Sequence, residues 1–211
     1  MTEMLLRVDD VDLAATLDVP DNAGGVIVFA HGSGSSRLSP RNVAVAEYLR
    51  ETGRFGTLLF DLLTAREDSV YENRFDIELL TRRLVAACRW AHAREGAGGL
   101  PLGLFGASTG AAAALKASVA IAELVTAVVS RGGRPDLASG SLPLVSVPTL
   151  LIVGGADYQV IELNRKAQTM MPAGTARLEI VPGATHLFEE RGALEQVARL
   201  TREFFTEAFE L

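Results

Sequence analysis

The feature that most limits the fold is an alternation. Short runs rich in leucine or β-branched residues are separated by longer stretches of helical period. Alternation of this kind builds crossover units, and it predicts an α/β fold with a mainly parallel sheet flanked by helices on both faces. Eight strand candidates fall at residues 4–8, 11–19, 25–30, 56–61, 100–105, 124–130, 147–153 and 176–181. The first two are too close for a helical crossover, so they are expected to form an antiparallel hairpin around Asp9 and Asp10. Five helices lie between and after the strands. The first opens at Ser39-Pro40, a cap followed by proline at the first helical position, and leaves at Gly53. The others are expected over residues 75–94, 109–122, 161–171 and 192–209. In the second of the five, Ile77, Leu80, Leu84, Cys88 and Ala91 share one stripe, which puts Cys88 in the core.

At 211 residues, with no repeat and no Pro/Ser-rich linker, residues 1–211 are read as a single domain. The net charge of −6 repels a phosphate backbone, so nucleic acid is not an expected partner. No apolar run approaches the ~20 residues needed to span a bilayer, so no membrane association is expected. The opening segment mixes charges into its one short apolar run and lacks the marks of a secretory signal; the expected location is cytoplasmic. A single cysteine and the lack of CxxC spacing leave neither an internal disulfide nor a thiolate metal site. No cofactor and no metal are expected.

The motif that carries chemistry is Gly106-Ala107-Ser108-Thr109-Gly110, set between an apolar strand and a run of small helix formers. A serine on so tight a strand-to-helix turn takes strained backbone angles, and flanking glycines let the helix cross close to the strand. The turn presents the Ser108 hydroxyl at a helix N-terminus, where free N–H groups and the dipole favour a developing oxyanion.

A serine hydroxyl needs a base, most often histidine. The chain has three histidines, His31, His92 and His186. His92 lies near the end of an amphipathic helix. His31 ends a strand and opens a glycine-rich loop, a place for a structural, oxyanion-loop or substrate-contact role alongside Gly32. His186 follows the last strand at the C-terminal edge of the sheet, where open α/β sheets form their ligand crevice, and is assigned as the general base. The carboxylate that orients it should follow another strand. Asp157 fits and falls in the order Ser, Asp, His; Asp136, after the preceding strand, is its competitor.

Along nearly its whole length the chain resembles the α/β-hydrolase superfamily, and its length and the Gly183-Ala184-Thr185-His186-Leu187-Phe188 loop look most like the dienelactone-hydrolase-like branch, with a serine nucleophile. It departs from dienelactone hydrolases proper in carrying Ser108 where those have cysteine. The resemblance implies an oxyanion hole from the backbone N–H of Ser33, in His31-Gly32-Ser33-Gly34, and that of Thr109. It also implies no cap domain, since residues 131–146 are too few to hold the helical lid many relatives place there. An open crevice follows, suited to small soluble esters.

Arg37, Arg41, Arg66, Arg131 and Arg134 fall on loops at the same edge, so Arg131 or Arg134 could anchor an anionic acyl group; the plainer expectation pairs Arg66 with Glu67 or Asp68, and Arg134 with Asp136. The leading function is a cofactor-free serine hydrolase of carboxylic esters or thioesters through an acyl-enzyme on Ser108. An amidase or small-peptide hydrolase would use the same triad, and a catalytically idle ligand-binding homologue would keep the fold alone. The expected partner is a small-molecule ester, and the chain is expected to be a monomer or a homodimer.

Overall fold

A computed structural model describes residues 2–8, 10–94 and 97–211. Among these, eight strands form one sheet: β1 (Thr2–Val8), β2 (Val11–Asp18), β3 (Gly25–Ala30), β4 (Phe55–Phe60), β5 (Leu102–Ala107), β6 (Val125–Arg131), β7 (Thr149–Gly154) and β8 (Ala176–Val181). Their order is β1-β2-β4-β3-β5-β6-β7-β8. The hairpin expected at the start is present, with Val8 opposite Val11 and Thr2 opposite Leu17; Asp9 lies outside the described residues. β2 also runs antiparallel to β4, and every later pairing is parallel.

The helices are α1 (Pro40–Arg50), α2 (Ala65–Asp68), α3 (Ile77–Ala93), α4 (Thr109–Ala120), α5 (Tyr158–Met170) and α6 (Ala193–Ala208). The central strands β3, β4, β5 and β7 are buried along their length because helices cover both faces. On one face α3, α4 and the end of α5 meet Val26, Val28, Leu104 and Val128. On the other, α1 and α6 pack against Ile27, Phe29, Phe105 and Val129, with Phe204 and Phe205 of α6 among them. Cys88 is fully buried in the first layer, and desolvation pushes its thiol up to about 12, so it is a core residue and not a nucleophile.

Two features at the C-terminal edge escape a periodicity argument. The stretch after β4 folds into the four-residue α2 and a 3₁₀ turn over Tyr71–Phe75, both too short to show a helical period. After β6, two 3₁₀ turns, Pro135–Ala138 and Leu142–Leu144, take up the connection, so no cap stands over the sheet there. Among the described residues, no helix is long and apolar enough to cross a membrane.

Candidate active site

Ser108 sits between β5 and α4 with φ 50° and ψ −117°, a conformation that costs a non-glycine residue of order 1–3 kcal/mol. The surroundings enforce it. A Cβ on Gly106 would strike the backbone of Ala111, and one on Gly110 would strike the Ala30 carbonyl. The two glycines therefore let α4 begin directly against β5 and β3. The elbow is then tied down from β6: Ser108 N–H donates to the Arg131 carbonyl at 3.2 Å, and Arg134 N–H to the Ser108 carbonyl at 3.1 Å.

The loops after β7 and β8 are laced together. Gly155 N–H donates to the Val181 carbonyl at 2.8 Å and Ala156 N–H to the Ala184 carbonyl at 2.9 Å, while the bare Cα of Gly154 lets the Ala184–Thr185 backbone pass close by. This lacing delivers Asp157, at the N-cap of α5, to His186. Their Nδ1 to Oδ2 separation is 2.7 Å, and the Asp157 side chain is 15% exposed against 40% for His186. With Nδ1–H donating to the carboxylate, Nε2 is left as the basic nitrogen. Asp136, the competing carboxylate, is instead clasped by Arg134 through two hydrogen bonds of 2.8 Å.

Ser108 and His186 line one cleft of about 240 Å³, together with Gly32, Ser33, Arg41 and Arg131. Gly32 comes close to Ser108, since a Cβ there would lie 3.2 Å from the Ser108 Cβ. Ser33 N–H does not face empty space: it donates to the Thr109 hydroxyl at 2.9 Å.

His31 has no part in the cleft. It is 7% exposed, its Nε2 accepts from Leu62 N–H at 3.0 Å, and its Nδ1–H donates to the Gly32 carbonyl at 2.9 Å. Both ring nitrogens are thus spent on binding the loop after β3 to the start of the loop after β4, and burial lowers its pKa below the usual 6.5. A substrate-contact role for His31 is corrected to a structural one.

The arginines divide. Arg134 is spent on Asp136 and does not line the cleft, which corrects its candidacy as a substrate contact. Asp68 pairs with Arg74 and Glu67 with Arg83, not with Arg66 as the sequence predicts. Arg131 is different: it lines the cleft, is 6% exposed, and its Nε has no hydrogen-bond partner among the described residues. Among the same residues, no group of three or more His, Cys, Asp or Glu side chains is arranged to hold a metal.

No family model matches the chain. Two Mycobacterium tuberculosis proteins, provisionally described as phosphoribosyl transferases, are each 56% identical over 195 residues, which cover 92% of this chain but 44% of theirs. The chain therefore spans less than half the length of these curated relatives. Est1E of Butyrivibrio proteoclasticus shares the fold at 17% identity, with a TM-score of 0.84 over 99% of both chains. A dienelactone hydrolase from Anabaena variabilis is 50% identical, with a TM-score of 0.93 over 98% of this chain and 96% of its own. Half the residues held in common across two nearly whole chains that superpose at this TM-score place this chain in the dienelactone-hydrolase-like branch of the α/β-hydrolases.

Proposed function

We propose that the chain is a serine hydrolase of small soluble carboxylic esters or thioesters. The single observation that carries the reading is the Asp157–His186 hydrogen bond of 2.7 Å beside a strained Ser108 in the same cleft. In the proposed reaction, His186 Nε2 takes the Ser108 proton as Oγ attacks the acyl carbonyl. The tetrahedral oxyanion is bound by Thr109 N–H at the start of α4 and by Ser33 N–H once substrate displaces the Thr109 hydroxyl. Collapse expels the alcohol or thiol, protonated by His186. Water then attacks the acyl-enzyme with His186 again as base, and the acid leaves. Asp157 keeps the imidazole tautomer and stabilises its cation. The Anabaena protein's description as a dienelactone hydrolase supports ester chemistry in this branch.

The test pairs fluorophosphonate labelling with p-nitrophenyl acetate turnover. We expect an adduct on Ser108, and a loss of turnover by roughly 10⁵-fold in Ser108→Ala and in His186→Ala. An unlabelled Ser108 with no turnover would point to the idle binding homologue. Faster cleavage of the matching p-nitroanilide would point to an amidase.

A further inference from the structure

Arg131 is an expensive residue to bury. The residue is 6% exposed, its Nε lacks a hydrogen-bond partner among the described residues, and the Phe188 ring lies 5.8 Å from its guanidinium carbon. The nearby charge is another cation, Arg41, which adds to desolvation in lowering the Arg131 pKa to about 10. Arg131 therefore stays charged at neutral pH. Arg41 reaches Glu189 at 3.2 Å, but Glu189 is 66% exposed and leaves the Arg41 Nε unpartnered. A protein of net charge −6 has carboxylates enough to neutralise both, yet among the described residues none stands against Arg131. A buried cation left so destabilises the free protein, and the arrangement makes sense when an anion completes it.

The same cleft receives the N-terminus of α1, an eleven-residue helix. Its N-cap, Ser39, makes no side-chain capping bond, and Pro40 follows, so the first-turn amides of Arg41 and Asn42 have no side-chain acceptor at the cap. Ser35, Ser39 and Asn42 line the cleft with Arg41 and Arg131, and the buried Asn42 side-chain oxygen also has no partner. Two guanidinium groups, a helix N-terminus and hydroxyl donors lining one cleft exceed what a planar monoanion uses. They match a tetrahedral dianion with three oxygens, and Asn42 Oδ1 suits a hydroxyl beside it.

We propose that Arg131, Arg41 and the N-terminus of α1 form a phosphate site, and that the ester cleaved at Ser108 carries a phosphomonoester group. The site rests on the hydrolase reading only for what the phosphate is attached to.

Calorimetric titration of inorganic phosphate at fixed ionic strength tests it, with acetate as the carboxylate control. Wild type and Ser108→Ala are expected to bind phosphate alike and more tightly than acetate, and Arg131→Met to weaken binding by about tenfold or more. Arg131→Met should also melt no lower than wild type, because an apolar chain replaces an unmatched buried charge. Should that variant misfold by circular dichroism, Ser39→Ala is expected to weaken phosphate binding from the helix side. Undetectable phosphate binding at millimolar concentration, equal binding by both Arg131→Met and wild type, or tighter binding of acetate would each overturn the assignment. Turnover of p-nitrophenyl acetate reads the hydrolase proposal separately: phosphate bound without turnover removes that reading and keeps the site, and turnover without phosphate binding does the reverse.

Discussion

The amide of Ser33 donates to the hydroxyl of Thr109 at 2.9 Å, so the residue after Ser108 holds the loop that follows β3. Thr109 is 3% exposed, and its side chain joins the two segments expected to bind the oxyanion. The hydroxyl positions that loop in the free protein, and under the proposed mechanism it gives up the Ser33 N–H to the substrate carbonyl. Thr109→Val keeps the shape and removes the acceptor. We expect it to lower kcat about tenfold with a smaller change in KM, at a stability cost of about 1 kcal/mol, while Thr109→Ser restores both. Steady-state kinetics on a neutral ester with thermal melts checks this; unchanged kcat in Thr109→Val would remove Thr109 from the positioning of the loop.

Two aspartates follow neighbouring strands, and their partners predict opposite phenotypes. Asp157 meets His186, and Asp136 meets Arg134. Asp157→Asn puts an amide against Nδ1 and stabilises the wrong imidazole tautomer, so kcat should drop by about 10⁴ with little change in melting temperature. Asp136→Asn should leave kcat within about twofold and cost at most about 1 kcal/mol, because the Arg134 pair is partly exposed. The paired measurement would reverse the assignment if Asp136→Asn were the inactive one.

Ser108, His186 and Asp157 are legible in the sequence because each stands in a loop directly after a strand, and strand ends follow from short apolar runs bounded by glycine. Boundaries differ by a few residues where apolar flanks continue past the ladder, as at Leu100 before β5 and Val147 before β7. Side-chain partners are not legible. Arg131 and Arg134 are three residues apart and look alike in the chain, yet one is buried without a carboxylate and the other is clasped by Asp136. That difference depends on which way each side chain leaves the loop after β6. The same holds for His31: the sequence leaves a structural, an oxyanion-loop and a substrate-contact role open, and only the Leu62 N–H on its ring selects the structural one.

His31 predicts an acid limb in stability. Burial lowers its pKa below 6.5, and Nε2 must stay unprotonated to accept from Leu62 N–H. The unfolded chain therefore binds a proton at a higher pH than the folded one does. The stability His31 contributes is present above the unfolded value and is lost as pH falls below about 6.5 toward the folded value. Urea unfolding at about pH 7.5 and about pH 5.5 should show this decline in wild type and a shallower one in His31→Gln. An equal decline in both proteins would assign the acid sensitivity elsewhere.

The elbow glycines predict a steric failure that a surface glycine does not share. Any Cβ on Gly110 meets the Ala30 and His31 carbonyls, at the end of the strand beside β5, which cannot move without shifting the sheet. Gly110→Ala should therefore push α4 off β3, cost roughly 3 kcal/mol or more, and displace Ser108 enough to abolish fluorophosphonate labelling. Gly140, between the two 3₁₀ turns after β6, has open space where a Cβ would stand, with nothing within 4 Å, and no left-handed φ. Gly140→Ala should be neutral or stabilising by up to about 1 kcal/mol, through the unfolded chain's lost freedom. Labelling and melts on the two variants separate steric closure at the elbow from a general intolerance of alanine; a Gly110→Ala protein that labels like wild type would show that the elbow does not need the close approach.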